Sequence, residues 1–230
     1  MNIAVIMAAG AGIRVGGGIP KQFLTIAGRT VIERAVDAFE THPLIDRIAI
    51  VVARAYIPNV ENMILKNNWK KVCRILPGGE ERFHSSLAAI EAFKNSPDDN
   101  LIFHDAARPL VDHRIISDVA MALKSHKAVG VAVPAADTLF LTDGERKFVS
   151  EVPPRALVMH AQTPQAFRVS VIQEAYHNAL ADSHFSGTDD CGTVVRYLPE
   201  EKVFLVFGDE KNRKLTYPED LTLFEKWLGS

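Results

Sequence analysis

A glycine-rich segment with two cations follows the first apolar stretch of the chain and has the composition of a phosphate-binding loop. Residues 8–22 read Ala-Ala-Gly-Ala-Gly-Ile-Arg-Val-Gly-Gly-Gly-Ile-Pro-Lys-Gln. Small residues let backbone N–H groups close around phosphate oxygens, and Arg14 and Lys21 bring positive charge to them. The order differs from a Walker A loop, in which Gly-Lys-Ser/Thr opens a helix, and from a Rossmann fingerprint. We therefore predict an anion-binding loop that matches neither pattern.

A second glycine-rich segment precedes a predicted helix. Gly78 and Gly79 stand just before residues of helical periodicity, and glycines ahead of a helix let a ligand meet free backbone N–H groups. Ser85 lies within the first turn or so of that helix and could hydrogen-bond a base or a sugar. The alternative is an ordinary loop-to-helix junction in which Arg82 is solvated.

A carboxylate follows the fourth predicted strand, in the sequence His104-Asp105-Ala106-Ala107-Arg108-Pro109. Asp105 would lie at the carboxyl end of a strand and face a phosphate pocket, which makes it a candidate Mg²⁺ ligand. The alternative is a carboxylate that only pairs with Arg108. We expect His104 to be a hydrogen-bonded strand residue rather than a base.

Further donors lie in the second half of the chain. Arg155 precedes Gln162-Thr163-Pro164-Gln165, and Thr188-Asp189-Asp190 and Asn212-Arg213-Lys214-Leu215-Thr216 come later. Arg and Lys side chains with Thr hydroxyls supply the donors that a second phosphorylated substrate needs. The chain has no Gly-x-Ser-x-Gly elbow and no His-Glu-x-x-His motif, and neither cysteine lies in a recognisable nucleophile motif. A covalent intermediate is therefore not indicated.

The elements that must position these residues alternate between strands and helices. Apolar runs rich in Val and Ile span residues 3–8, 48–53, 72–76, 101–104, 129–133 and 203–207, and helix candidates span residues 31–40, 58–67, 80–94, 112–125, 169–181 and 218–228. Continuous apolar strands are typical of a sheet buried on both faces, and the alternation predicts a mainly parallel α/β sheet. Such sheets bind ligands at the carboxyl ends of their strands, where the segments above lie.

One segment, residues 135–154, breaks the alternation with Asp, Thr, Gly and Pro residues. We predict a hairpin or arm that projects from the sheet. Excursions of this length inside a compact domain are usually lids, binding loops or oligomer contacts, and the plain alternative is a surface hairpin without function.

Composition limits the classes of protein that fit. The chain has 230 residues, 47% of them hydrophobic, which predicts one folded domain over residues 1–230. The formal net charge of −2 gives no general attraction to nucleic acid. Cys73 and Cys191 are the only cysteines, and neither a basic leader nor an apolar run long enough to span a membrane is present. We expect a cytoplasmic protein that binds neither nucleic acid nor membrane.

Motifs along the whole chain resemble one enzyme family, the 2-C-methyl-D-erythritol 4-phosphate cytidylyltransferases. They are Ala8-Ala9-Gly10-x-Gly-x-Arg14 with Pro20-Lys21-Gln22-Phe23, Gly78-Gly79-x-x-Arg82-x-x-Ser85, His104 to Pro109, Arg155 before Gln162-Thr163-Pro164-Gln165, Thr188-Asp189, and Lys214-x-Thr216 before Pro218-Glu219-Asp220. Each motif alone is weak to moderate, but six in the same order are hard to obtain by chance.

The resemblance implies a Rossmann-like nucleotidyltransferase fold of the glycosyltransferase-A-like type, with a mixed, mainly parallel sheet, helices on both faces and a projecting β-arm. It implies transfer of a cytidylyl group from CTP to 2-C-methyl-D-erythritol 4-phosphate in the non-mevalonate isoprenoid pathway, with Mg²⁺ and release of pyrophosphate. It also implies a homodimer in which the arm, residues 135–154, pairs two subunits and places Arg155 in the neighbour's site.

The resemblance implies roles for individual residues as well. The implied catalytic residues are Arg14, Lys21, Arg155 and Lys214. The implied CTP-binding residues are Ala8, Ala9, Gly10, Arg14, Lys21, Gly79, Glu80, Ser85, Asp105 and Ala106, with Asp105 also the metal ligand. The implied binding residues for the second substrate are Arg108, Arg155, Thr163, Thr188 and Lys214.

The sequence departs from the family pattern at a few positions. Val15 and the Gly16-Gly17-Gly18 run stand where the family commonly has Met and more varied residues, Val158-Met159 where Leu-Trp is frequent, and Glu80 where Asp is frequent. One alternative is a cytidylyltransferase for another polyol phosphate, such as ribitol 5-phosphate, whose enzymes differ at the Ala106-Ala107 pair. Another is a non-catalytic nucleotide-binding module, which would lack Lys21 or Lys214.

Overall fold

A computed structural model describes residues 1–10, 18–187 and 189–229 of the chain. The strands in these ranges are β1 (Asn2–Ala8), β2 (Thr25–Ile26), β3 (Arg29–Thr30), β4 (Arg47–Val52), β5 (Val72–Pro77), β6 (Asn100–Asp105), β7 (Ala128–Pro134), β8 (Leu141–Thr142), β9 (Val149–Glu151), β10 (Met159–Arg168) and β11 (Phe204–Phe207). The helices are α1 (Val31–Glu40), α2 (Ile57–Asn67), α3 (Arg82–Phe93), α4 (His113–Ala122), α5 (Val169–Leu180), α6 (Asp190–Tyr197) and α7 (Glu219–Gly229).

A seven-stranded sheet forms the centre of the described part of the chain, in the order β11-β7-β10-β6-β1-β4-β5. β10 is antiparallel to both of its neighbours, and the other neighbouring pairs are parallel. The predicted mixed, mainly parallel sheet is confirmed. Six of the strands therefore end at the same edge of the sheet, and the glycine-rich and cationic segments follow them there.

Both faces of the sheet are buried, as the continuous apolar strands predict. In β1 the side chains of Ala4, Ile6 and Ala8 join one hydrophobic cluster with α1, α2 and α4. Ile3 and Val5 point to the opposite face and join a second cluster with α3 and α5. Because successive side chains of a strand point to opposite faces, an all-apolar strand such as β1 is stable only between two helical layers.

The short β2–β3 hairpin, strand β10 and helix α6 were not predicted from the sequence. For β10 the sequence predicts only a polar substrate-binding segment, because the buried part of this strand contains Gln162, Thr163 and Gln165. Their polar groups are hydrogen-bonded to other segments, which lets a polar strand lie inside the sheet. Helix α6 was also missed, because its short sequence holds Asp190 and Gly192 among few apolar residues. The predicted helix 80–94 begins two residues late, at Arg82.

The predicted arm is a two-stranded hairpin. β8 and β9 pair with each other in antiparallel register and with no other strand of the described chain. Phe140 and Phe148 are 59% and 72% exposed on this hairpin, and Leu157 at its base is 81% exposed. Among the described residues, no helix has the length and apolar character needed to cross a membrane.

Helix α1 is fixed at its N-terminus by a buried glutamate. The carboxylate of Glu33 accepts a hydrogen bond of 2.8 Å from the backbone N–H of Thr30, and the hydroxyl of Thr30 accepts one of 3.3 Å from the N–H of Glu33. The same carboxylate accepts from Asn67 and pairs with Lys66 at the end of α2. Burial alone would raise the pKa of Glu33, but these hydrogen bonds lower it to about 2.

We expect Glu33→Ala to lower the free energy of unfolding by about 2 kcal/mol, because it removes the cap and leaves donors of Thr30 and Asn67 unpaired. Glu61→Ala, at an exposed position of α2, is the matched control and should change stability by less than ~0.5 kcal/mol. Urea denaturation of both variants measures the difference. Equal stability losses would show that the capping carboxylate contributes nothing specific.

Candidate active site

Asp105 is the central carboxylate of the site. It ends β6, is 8% exposed, and receives cations from two distant parts of the chain. The Nζ of Lys214 donates a hydrogen bond of 2.7 Å to Oδ2, and the Nε of Arg82 lies 3.8 Å from Oδ1. Burial would raise the pKa of Asp105, but the charges of Lys214, Arg82 and Arg108 hold it well below its usual range. The carboxylate is therefore ionised.

The alternative that Asp105 only pairs with Arg108 is wrong. The guanidinium of Arg108 donates to the backbone carbonyl oxygens of Asn212 at 2.8 Å and Ala161 at 3.4 Å. Its charge still contributes to the low pKa of Asp105. Arg108 thus stands beside the carboxylate while its own hydrogen bonds go to the neighbouring segments.

Arg82 is a site residue to which the sequence analysis assigned no role. Its side chain is 24% exposed, and its Nη2 lies 2.7 Å from Oδ2 of the fully buried Asp190. Burial would lower the pKa of Arg82, but Asp190 and Asp105 raise it, so the guanidinium stays charged. The alternative of a solvated Arg82 is wrong. The Gly78-Gly79-x-x-Arg82 spacing could have drawn attention to it, since it places a cation in the first turn after a ligand-binding loop.

The second carboxylate, Asp190, is held from three sides. The hydroxyl of Tyr176 donates to its Oδ1 at 2.7 Å, and its backbone N–H donates to Oε1 of Gln165 at 3.0 Å. The neighbouring Cys191 is not an activated nucleophile. Burial and the nearby acidic groups Asp189 and Asp190 raise the pKa of its thiol well above the ordinary value.

Lys21 is brought next to the segment that carries Lys214. It lies in a short 3₁₀ turn, Lys21–Phe23. Its Nζ donates to the carbonyl oxygen of Leu215 at 2.8 Å, and the N–H of Leu215 donates to Ala107 at 2.7 Å. The buried side chain of Gln22 donates to the carbonyl oxygens of Ala8 and Gly10, which fixes this turn against the end of β1. The first loop, the segment after β6 and the segment after β11 therefore meet.

The two glycine-rich segments also meet, at Gly78. A Cβ added there would lie 2.2 Å from the Cβ of Ala9 and 2.8 Å from the Oγ of Ser85. Only glycine permits this approach, because contacts this short exclude any side chain. At Gly79 an added Cβ would lie 2.4 Å from the Cβ of His84. Glu80 is exposed just before α3.

The remaining predicted site residues have different placements. Ala106 is buried and its N–H donates to Met7. The hydroxyl of Thr163 is buried and hydrogen-bonded inside the protein. Arg155 is exposed at the base of the arm, where its Nη1 donates to the carbonyl oxygen of Ala136 at 3.2 Å. Arg14 and Thr188 lie outside the described residues.

Asp105 is the carboxylate of the described site that suits Mg²⁺. Among the described residues, no group of three or more His, Cys, Asp and Glu side chains could hold a metal ion. Mg²⁺ is commonly bound by one or two carboxylates together with substrate phosphates rather than by an all-protein cage. An ionised Asp105 at a strand end fits that mode. Its Oδ1 is the less engaged oxygen, since Arg82 lies 3.8 Å from it.

The mainly parallel sheet, with glycine-lined and cationic loops at its carboxyl ends, has the Rossmann-like nucleotidyltransferase fold of its structural neighbours. The chain matches the family model of 2-C-methyl-D-erythritol 4-phosphate cytidylyltransferase over residues 2–230. A protein of that name from Thermobifida fusca is 44% identical over 229 residues, which cover 98% of this chain and 92% of the relative. The chain belongs to this family, whose members are CTP-dependent enzymes.

Two other similarities bear on fold and substrate. A crystal structure of 4-diphosphocytidyl-2C-methyl-D-erythritol synthase from Anaerococcus prevotii matches with a TM-score of 0.86 and 28% identity, covering 100% of this chain and 96% of that one. A bifunctional ribulose 5-phosphate reductase/CDP-ribitol pyrophosphorylase from Haemophilus influenzae is 42% identical over 230 residues, which are 100% of this chain and 48% of the relative.

We expect Asp190→Ala to lower the free energy of unfolding by roughly 3 kcal/mol or more, because Arg82 loses its buried partner and Tyr176 its acceptor. Asp118→Ala breaks an exposed pair with Arg114 on α4 and should cost less than ~1 kcal/mol. Chemical denaturation of both variants makes the comparison. A loss for Asp190→Ala no larger than for Asp118→Ala would contradict this account of the buried pair.

Proposed function

We propose that this chain transfers the cytidylyl group of CTP to 2-C-methyl-D-erythritol 4-phosphate and releases pyrophosphate, in isoprenoid biosynthesis. The family match over residues 2–230 supports the reaction. The arrangement of the site supports the same chemistry, since Lys21, Lys214, Arg82 and Arg108 come from four separate segments and meet at one edge of the sheet.

The reaction needs charge stabilisation rather than a base. A phosphate oxygen of the second substrate attacks the α-phosphorus of CTP, a new P–O bond forms, and the bond to the β-phosphate breaks. The attacking phosphate is mostly dianionic at neutral pH, because its second pKa is about 6. Catalysis then rests on positioning two anions and neutralising their charge. We assign this role to Arg14 and Lys21 around the α-phosphate, together with Arg155 and Lys214.

The two substrates would occupy adjoining parts of the strand-end edge. We assign CTP to the following residues of the first two loops and the end of β6: Ala8, Ala9, Gly10, Gly79, Glu80, Ser85, Asp105 and Ala106. The contact of Gly78 with Ala9 and Ser85 supports this assignment, because it joins the two loops that would enclose the nucleoside. We assign the second substrate to Arg108, Arg155, Thr163, Thr188 and Lys214.

Mg²⁺ belongs to the proposal as a partner of the CTP phosphates. Asp105 would hold it, and a bound Mg²⁺ would neutralise negative charge on the phosphate oxygens. The protein's own part is to keep Asp105 ionised, which Lys214 and Arg82 do in the structure.

A homodimer formed through the arm is the proposed assembly. Phe140 and Phe148 on the hairpin and Leu157 at its base are largely exposed in one chain, and clusters of exposed apolar side chains mark contact surfaces. In this assembly Arg155, which lies beside Leu157, would reach the neighbouring subunit's substrate. A cytoplasmic location stays a prediction.

The Haemophilus influenzae relative gives a specific reason to consider a second substrate, ribitol 5-phosphate. The Ala106-Ala107 pair favours methylerythritol phosphate over this alternative. Incubating the protein with CTP, Mg²⁺ and either polyol phosphate, and following pyrophosphate release, tests the proposal. We expect release with methylerythritol phosphate and CTP only. Release with ribitol 5-phosphate but not with methylerythritol phosphate would identify ribitol 5-phosphate as the second substrate. No release with either would contradict the proposed function.

Lys21→Ala should lower kcat by at least ~10²-fold while the fold survives, because one preorganised charge contact to the reacting phosphate is lost. Lys124→Ala, at an exposed position after α4, is the control for loss of a surface lysine and should leave kcat unchanged. Steady-state kinetics with circular dichroism of both variants provide the measurement. Near-normal turnover of folded Lys21→Ala would remove Lys21 from the catalytic role.

Arg155→Ala and Lys21→Ala should each be inactive alone and regain partial activity when mixed and allowed to exchange subunits. The reason is that a mixed dimer would contain one site with both native residues. Mass spectrometry of differently tagged chains establishes exchange, and mixing two samples of the same variant is the control. No recovery despite proven exchange would rule out sites shared between subunits.

A further inference from the structure

A buried chain of hydrogen bonds runs behind the substrate end of the site. The backbone N–H of Asp105 donates to Oγ1 of Thr163 at 3.1 Å. That hydroxyl contacts Nδ1 of His104 at 3.1 Å, and Nε2 of the same ring lies 3.0 Å from the carbonyl oxygen of Arg108. Thr163 and His104 are 4% and 0% exposed. This series of hydrogen bonds therefore links β10 to the segment 104–108, at Asp105 and at Arg108.

The hydrogen of each of these hydrogen bonds can be assigned to a donor. The carbonyl oxygen of Arg108 can only accept, so Nε2 of His104 must carry a hydrogen and donate it. In the neutral ring Nδ1 then accepts, and the hydroxyl of Thr163 donates to it while accepting from Asp105. The expectation that His104 is a hydrogen-bonded strand residue rather than a base agrees with this arrangement.

A second set of bonds fixes the side chain of Arg108. The amide Nδ2 of Asn212 donates to Oε1 of Gln162 at 3.0 Å and to the carbonyl oxygen of Thr163 at 2.8 Å. The carbonyl oxygen of Asn212 accepts from Nη1 of Arg108 at 2.8 Å. Asn212 is fully buried and precedes Lys214 by two residues, so its anchoring also fixes the path of the segment that carries Lys214.

We propose that His104 and Asn212 are positioning residues for the second substrate: His104 fixes the backbone of Arg108, and Asn212 fixes its guanidinium. Neither side chain touches substrate. They act through Arg108, which the proposed function assigns to the phosphate of the second substrate. The identity of that phosphate rests on the proposed function, whereas the hydrogen-bond chain itself does not.

Two substitutions at His104 separate the two bonds of its ring. The amide of His104→Asn occupies the place of Nδ1, so it retains an acceptor for Thr163 and loses the bond to Arg108. The amide of His104→Gln reaches the place of Nε2, so it retains the bond to Arg108 and loses the acceptor. We expect His104→Asn to raise KM for methylerythritol phosphate about tenfold and to change KM for CTP by less than about twofold, since one hydrogen bond is lost on one side of the site. His104→Gln should keep both KM values within about threefold of the wild type.

His42→Asn is the matched control for the loss of a buried histidine. His42 is 1% exposed, accepts from the N–H of Leu44 through Nδ1, and contacts His113 and Ser117 through Nε2. It lies between α1 and β4, at the amino-end edge of the sheet and away from the site. His42→Asn thus loses the same kind of bond as His104→Asn. It should lower stability comparably and leave both KM values unchanged.

Three outcomes would overturn the proposal. The first is an unchanged KM for methylerythritol phosphate in folded His104→Asn. The second is an equal rise of this KM in His42→Asn. The third is an equal rise of this KM in His104→Gln, which would attribute the effect to the packing of the ring. If the wild type turns over neither substrate pair, the proposed function fails and NMR decides the proposal separately. His104 should then show the Nε2–H tautomer, and His104→Asn but not His42→Asn should shift the side-chain Nε–H signal of Arg108. An unshifted Arg108 signal would contradict the proposal.

Discussion

The ion pair between Asp105 and Lys214 is the contact on which the rest of the site depends. It joins residues 109 positions apart in the chain, with an Nζ to Oδ2 distance of 2.7 Å. For this contact to form, β6 must be a central strand of the sheet. The segment after β11 must also fold back over the carboxyl end of β6. Lys21 then binds the carbonyl oxygen of Leu215, the next residue, so the first loop is located by the same segment.

Positively and negatively charged side chains alternate around this ion pair. Arg82 stands between two carboxylates, Asp105 and the fully buried Asp190. Taking such groups out of water costs several kcal/mol per ion, and the cost is offset only where partners and hydrogen bonds are in place. Tyr176 and Gln165 supply those bonds for Asp190. The arrangement lets a chain with a net charge of −2 present cations to two anionic substrates at one edge.

Much of this architecture could be predicted from the sequence, because the strands of a two-faced sheet are continuous apolar runs and the cationic loops follow them. The pairing of Lys214 with Asp105 could not, since no local pattern relates segments so far apart. Strand β10 was missed because its buried residues Gln162, Thr163 and Gln165 are polar, and their burial depends on partners in other segments. The role of Arg82 could not be predicted for the same reason. Its partner Asp190 lies in α6, a helix that the sequence does not reveal.

The nucleotide should bind at the carboxyl-end edge of the sheet, with Asp105 at the centre of its site. A crystal structure of the protein with CTP and Mg²⁺ tests it most directly. We predict the triphosphate within hydrogen-bonding distance of Lys21, the cytosine beside Gly79 and Ser85, and the metal at Asp105. CTP bound on another surface, or at this edge with its phosphates remote from Lys21 and Asp105, would contradict the account.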